Sequence, residues 1–211
     1  MRFTPIEIIL CVALSTALSM IGSRWIDRLY ALEDAPLTFP DQIVERRRFR
    51  HPLLSIGFLI CLLMIIERPT VEAIYLTAAS FFLLLITATD FEQYVIFDRM
   101  SLPFALVGLI STIHLQLPIV DHLIAAFGGG MAFLILTLLT GGAIGGGDIK
   151  LVAALGFWVG TDRLLEIIFC GTIFGGIAAL LMLLTKKMNR KSVFAYGPYF
   201  TLTALFFMLT R

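Results

Sequence analysis

Long apolar stretches divided by short polar ones dominate the chain. Windows almost free of charge fall near residues 5–22, 52–66, 72–89, 101–117, 122–140, 149–160, 164–185 and 193–210. A helix needs about 20 residues to cross the hydrocarbon core of a bilayer. The pattern predicts an all-α, polytopic membrane helix bundle of about eight transmembrane helices, with residues 1–211 forming a single domain. The windows 52–66 and 149–160 are short for a full crossing. They are expected to begin in the adjoining polar sequence, to thin the bilayer, or to pack inside the bundle. The first window follows Arg2 and is read as a span, not a cleaved signal peptide. Glu7, close to its start, is read as reaching the headgroups.

Composition agrees. Hydrophobic residues make up 59% of the 211 positions and charged residues 15%, against about 45–50% and about 25% in soluble domains. Lys+Arg 16 against Asp+Glu 15 leaves a net charge of +1, so the field that attracts nucleic acid is missing and the expected partner is the lipid bilayer. With alternate connections assigned to opposite sides, twelve of the 16 Lys and Arg residues collect on one side. The positive-inside rule then places 23–51, 90–100, 141–148 and 186–192 in the cytoplasm and both termini outside. Cys11, Cys61 and Cys170 sit singly in apolar runs and read as packing residues, and His51, His114 and His122 read as interfacial side chains. No metal or cofactor is expected.

The longest connection, 23–51, ends in Arg46-Arg47-Arg48-Phe49-Arg50 and reads as an anchor to anionic headgroups. Its length is too small for an independent core. Small residues at four-residue spacing, Gly156 with Gly160 and Gly171 with Gly175, predict close helix packing, as does the run Gly128 to Gly130.

Two acids stand apart from the solvated majority. Asp90 follows the apolar run 81–89, and Asp148 follows Gly145-Gly146-Gly147 and opens another apolar segment, 58 residues later. The topology brings both to one membrane face. Two carboxylates sharing a poorly solvated boundary repel one another and are expected to hold a proton between them, as in aspartic proteases. The glycines before Asp148 are expected to take unusual dihedrals or to let a substrate backbone approach. A phosphate cradle is disfavoured, because no P-loop Lys-Ser/Thr pair follows. Lys150 reads either as a cation beside the two acids or as an ordinary interfacial lysine. Asp98 reads as a helix N-cap, and Glu92 as a solvated side chain.

The segments Asp90-Phe91-Glu92-Gln93-Tyr94-Val95-Ile96-Phe97-Asp98, Gly145-Gly146-Gly147-Asp148-Ile149-Lys150-Leu151 and Tyr196-Gly197-Pro198 together resemble the bacterial type IV prepilin peptidases, which are GxGD intramembrane aspartic peptidases. The resemblance runs from about residue 48 to the end. It implies an aspartic endopeptidase of the bacterial inner membrane that cuts the short basic leader from prepilins or pseudopilins at the cytoplasmic face. It implies Asp90 and Asp148 as the catalytic pair, Gly145 and Gly147 as the GxGD glycines, and a structural role for Gly197 and Pro198. Many members also carry a zinc-binding domain with two CxxC pairs between the first two spans, and methylate the new amino terminus using S-adenosylmethionine. Residues 23–51 here contain no cysteine, which puts methylation in doubt. Phe97 and Ala195 stand where the family often has proline. The other readings are an inactive scaffold of a pilus or secretion system, an ion-coupled carrier using the same acids, and a GxGD peptidase with a different single-span substrate.

Overall fold

The structure, a computed structural model, describes residues 4–142, 144–185 and 194–210. The helices are α1 (Pro5–Tyr30), α2 (Ile43–Arg46), α3 (Arg50–Ile65), α4 (Thr70–Gln93), α5 (Asp98–His114), α6 (Ile119–Leu139), α7 (Gly146–Leu184) and α8 (Gly197–Leu209). Among the described residues there is no β-strand. Among the described residues five helical stretches are long and apolar enough to cross a membrane: Pro5–Tyr30, Pro40–Ile65, Thr70–Gln93, Ile119–Leu139 and Gly146–Leu184. The protein is thus a helical membrane bundle. Its outward faces carry Ile6, Phe127, Leu139, Phe169 and Leu184, all exposed, which lipid accepts and water does not.

Local chemistry sets the helix ends. Thr4 and Glu7 form a reciprocal capping box at the start of α1, with Pro5 in the first turn. Glu7 therefore has a capping partner and does not merely extend toward headgroups. The short window at 52–66 does begin in polar sequence: two 3-10 turns and α2 lead from Pro40 straight into α3. The expected 23–51 loop accordingly shrinks, since α1 runs to Tyr30 and helical turns resume at Pro40. The two windows expected at 149–160 and 164–185 form one element, α7, interrupted where Gly160 adopts φ 73°, ψ −179°. A positive φ suits glycine. Asp121 accepts a hydrogen bond from the freed Thr161 N–H (3.1 Å), so the second arm starts with a cap supplied by α6. The neighbouring His122 is buried, not interfacial, with Nδ1 3.0 Å from the Pro118 carbonyl oxygen.

α6 lies along α7, α1 along α3, and α4 packs on α3, α5 and α8. The fully buried side chains Leu83, Ile86, Met100, Phe104, Leu151 and Leu155 belong to one core built largely from α4, α5 and α7, and Leu85 of α4 meets Gly22 of α1. The small-residue spacing does what its pattern predicts at Gly156, where an added Cβ would strike the backbone of Ala125 and Ala126. Backbone cannot rotate away as a side chain can. Gly156→Val is therefore expected to destabilise the bundle by roughly 3 kcal/mol, the upper range for overpacking. Gly128→Ala, whose Cβ meets nothing within 4 Å, should change stability by less than about 1 kcal/mol. Thermal unfolding in detergent followed by circular dichroism compares the two; equal midpoints would remove Gly156 from the packing argument.

Candidate active site

α4 must end for Asp90 to reach a cavity, and it ends at Tyr94, which takes a left-handed conformation (φ 54°, ψ 40°) and donates its N–H to the Asp90 carbonyl (2.9 Å). Asp90 thus occupies the last turn, and it is buried. Asp148 occupies the opposite kind of helix end. It is the third residue of α7, counted from the N-cap Gly145, and its N–H donates to the Gly145 carbonyl (3.0 Å). Both aspartates line one cavity of about 700 Å³, together with Tyr94, Phe133, Tyr196 and Phe200. Asp90 Oδ2 and Asp148 Oδ1 are buried without a hydrogen-bond partner among the described residues. Buried polar atoms are normally paired, so two unpaired carboxylate oxygens in one cavity are poised for a guest. The surrounding rings suit an apolar chain segment.

The unusual dihedrals expected of the glycines before Asp148 are not found. Gly145 is extended (φ −67°, ψ 143°) and Gly146 and Gly147 are helical, all ordinary conformations. Just upstream of them, Gly141 and Gly142 are the ones with positive φ. What Gly147 supplies is space, since a Cβ there would stand 2.9 Å from Ile96 Cβ. Gly197 does the same for the catalytic candidate itself: its Cβ would lie 2.6 Å from Asp90 Oδ2. Pro198 sits in the first turn of α8, where its fixed φ and missing N–H fit. Phe97, with φ −77°, already has a proline-like backbone.

Lys150 does not line the cavity. Its ammonium donates to both Asp98 oxygens (2.6 and 2.8 Å) in an exposed pair that ties α5 to α7. Asp98 is correspondingly not an N-cap, because α5 begins after Phe97 and makes no side-chain cap.

Two further residues, read from the sequence as solvated or lipid-facing, matter here. Glu92 is buried, not solvated, and Arg50 is buried, not a headgroup anchor. Arg50 donates through Nε to Glu92 Oε1 (2.7 Å) and through Nη2 to Glu92 Oε2 (2.5 Å). Its Nη1 donates to Asp27 (2.7 Å), and the Tyr30 hydroxyl donates to Glu92 (3.1 Å). A bidentate pair of this kind fixes orientation as well as charge. No periodicity announces it, although a lone acid two residues past Asp90 was the available signal. Among the described residues no three His, Cys, Asp or Glu side chains converge as metal ligands.

Residues 77–180 match the type IV leader peptidase family. The chain is 34% identical over 140 residues to the prepilin leader peptidase/N-methyltransferase of Neisseria gonorrhoeae, covering 64% of this chain and 46% of that protein. It is 30% identical over 126 residues to the protein of that name from Xanthomonas campestris pv. campestris (57% and 44% covered). It is 26% identical over 163 residues to the one from Pseudomonas putida (74% and 57% covered). The chain spans about half the length of these curated relatives, and no solved structure matches it. The matched stretch runs from within α4 to within α7 and takes in both aspartates, so the candidate site lies within the part of the chain that is similar to the type IV leader peptidase family.

Proposed function

We propose that this protein is an aspartic endopeptidase that removes the leader of type IV prepilins or pseudopilins at the cytoplasmic face of a bacterial inner membrane. The observation that carries this reading is the pair of acids, from segments 58 residues apart in the chain, lining one cavity, each with a buried oxygen that has no hydrogen-bond partner among the described residues. Asp90 and Asp148 share one proton. The ionised carboxylate takes a proton from water as the water oxygen attacks the scissile carbonyl carbon. The protonated carboxyl donates a hydrogen bond to the carbonyl oxygen and stabilises the charge that develops there. The tetrahedral intermediate collapses when the amide nitrogen receives a proton from the dyad and leaves as the new amine. Charge placement supports the orientation: the connections next to α4 and α7 at the aspartate ends belong to the lysine- and arginine-rich side. The part of that count on residues 186–193 lies outside the described residues.

Co-expression with candidate prepilins, followed by the mobility shift on leader loss, tests the reading directly. A shift that depends on this protein is expected; its absence with every prepilin and pseudopilin of the host would sink the proposal. A finer test uses Gly197. The added methyl of Gly197→Ala presses on the Asp90 carboxylate, and a misplacement of this order costs roughly ten- to a hundredfold in rate. Gly146→Ala, which meets open space, should stay within about threefold of the parent rate.

A further inference from the structure

The last turn of α4 carries Asp90, and a helix end leaves carbonyls without intrahelical partners. Tyr94 N–H takes that of Asp90. The next two, on Phe91 and Glu92, are taken by one side chain from a distant part of the chain: Arg46 Nη1 donates to both, at 3.4 and 3.1 Å. Arg46 is itself held in place. Its Nε donates to Gln42 (3.1 Å), and its guanidinium lies 3.6 Å from the Phe39 ring centre and 5.7 Å from that of Tyr94. Phe39 is pinned in turn, because the fully buried Gln93 accepts its N–H (2.8 Å) and donates to its carbonyl (3.1 Å). Residues 39–46 and 91–94 therefore interlock around a turn whose non-glycine left-handed residue, Tyr94, is costly unless neighbours hold it. Tyr94 also lines the cavity. Arg48, by contrast, is exposed.

We propose that Arg46 is a positioning residue for Asp90: by binding the last carbonyls of α4 it fixes the turn that holds Asp90 and Tyr94 at the cavity, which makes the connection between α1 and α3 part of the reaction machinery. Phosphate-anchoring needs a side chain free to leave the protein, and Arg46 is engaged on four sides. The inference rests on the Asp90/Asp148 reading for its catalytic consequence, though its geometric content does not.

The test joins kinetics to a distance. Arg46→Met keeps the apolar stem over Phe39 and removes every donor. Leader cleavage by the purified full chain is expected to lose roughly tenfold in kcat with KM within about twofold, since orientation and not affinity is lost. Arg46→Lys restores the charge at the helix C-terminus and is expected to recover part of that loss. Arg48→Gln removes the same charge from the exposed neighbour and should match the parent. Independently, Asp90→Cys and Asp148→Cys are combined in a chain whose native cysteines are replaced by alanine, and a short thiol-to-thiol reagent links the two positions. Linking should slow at least about fivefold when Arg46→Met is added. Unchanged linking, or an unchanged kcat, overturns the inference, as does a Lys variant no better than Met at equal thermal stability. If no prepilin is cleaved by any form while linking still slows, the positioning stands and the peptidase reading fails.

Discussion

Asp90→Asn and Asp148→Asn are each expected to reduce leader removal by about a thousandfold or more, while the protein remains folded in the membrane. Asn preserves the shape of the side chain and removes the group that accepts or supplies the proton, and general acid–base catalysis contributes about 10²–10⁴-fold. The double variant is expected to be little worse than either single one, because in the proposed dyad the carboxylates act as a unit and the loss of one already stops proton transfer. That non-additivity separates a dyad from two independent binding residues, whose effects would multiply. Folding should survive, since each side chain has an oxygen without a hydrogen-bond partner among the described residues. Single-turnover cleavage of a purified prepilin in detergent, with circular dichroism as the control for folding, reads all three variants. Retention of more than about a tenth of the parent rate by either single variant removes that residue from the chemistry.

The two aspartates were legible in the sequence as candidates because an acid at the edge of an apolar run is expensive unless it has a use, so Asp90 and Asp148 stood out without any geometry. The helical class was legible for the same reason, as apolar run lengths follow from bilayer thickness. The site's supports were not. Glu92 and Arg50 look like ordinary boundary charges, and only the approach of α1, α3 and α4 reveals that they neutralise one another inside the protein. Arg46, Arg47, Arg48 and Arg50 are similar in sequence, yet two of them are built into the bundle and Arg48 is not. Side-chain direction at the start of α3 decides this, and no one-dimensional pattern encodes it. The glycines before Asp148 illustrate the reverse error. Their number suggested unusual dihedrals, whereas their use at Gly147 is the absence of a side chain against Ile96.

The second large effect concerns stability and comes from that hidden pair. The Arg50 and Glu92 side chains are 1% and 7% exposed. Removing one partner of a buried ion pair leaves the other charge without compensation in a poorly solvated place, which costs about 3–5 kcal/mol. Arg50→Leu and Glu92→Leu are each expected to destabilise the protein by that amount, a fall of roughly 10 °C in Tm for a chain of this size. Glu92→Leu should be the milder of the two. It leaves Arg50 its ion pair with Asp27 and its bond to the Ser23 carbonyl, whereas Arg50→Leu leaves the buried Glu92 carboxylate only the neutral Tyr30 hydroxyl as a donor. The Arg50→Leu/Glu92→Leu double variant is the decisive member. With both charges replaced by apolar side chains no desolvation penalty remains, so it is expected to be more stable than either single variant, by about 2 kcal/mol or more. Strictly additive losses across the four proteins would mean that the two side chains contribute separately, and would remove the ion pair as the element that joins α3 to the end of α4. Because this cycle reads unfolding and not turnover, its outcome is independent of the proposed activity.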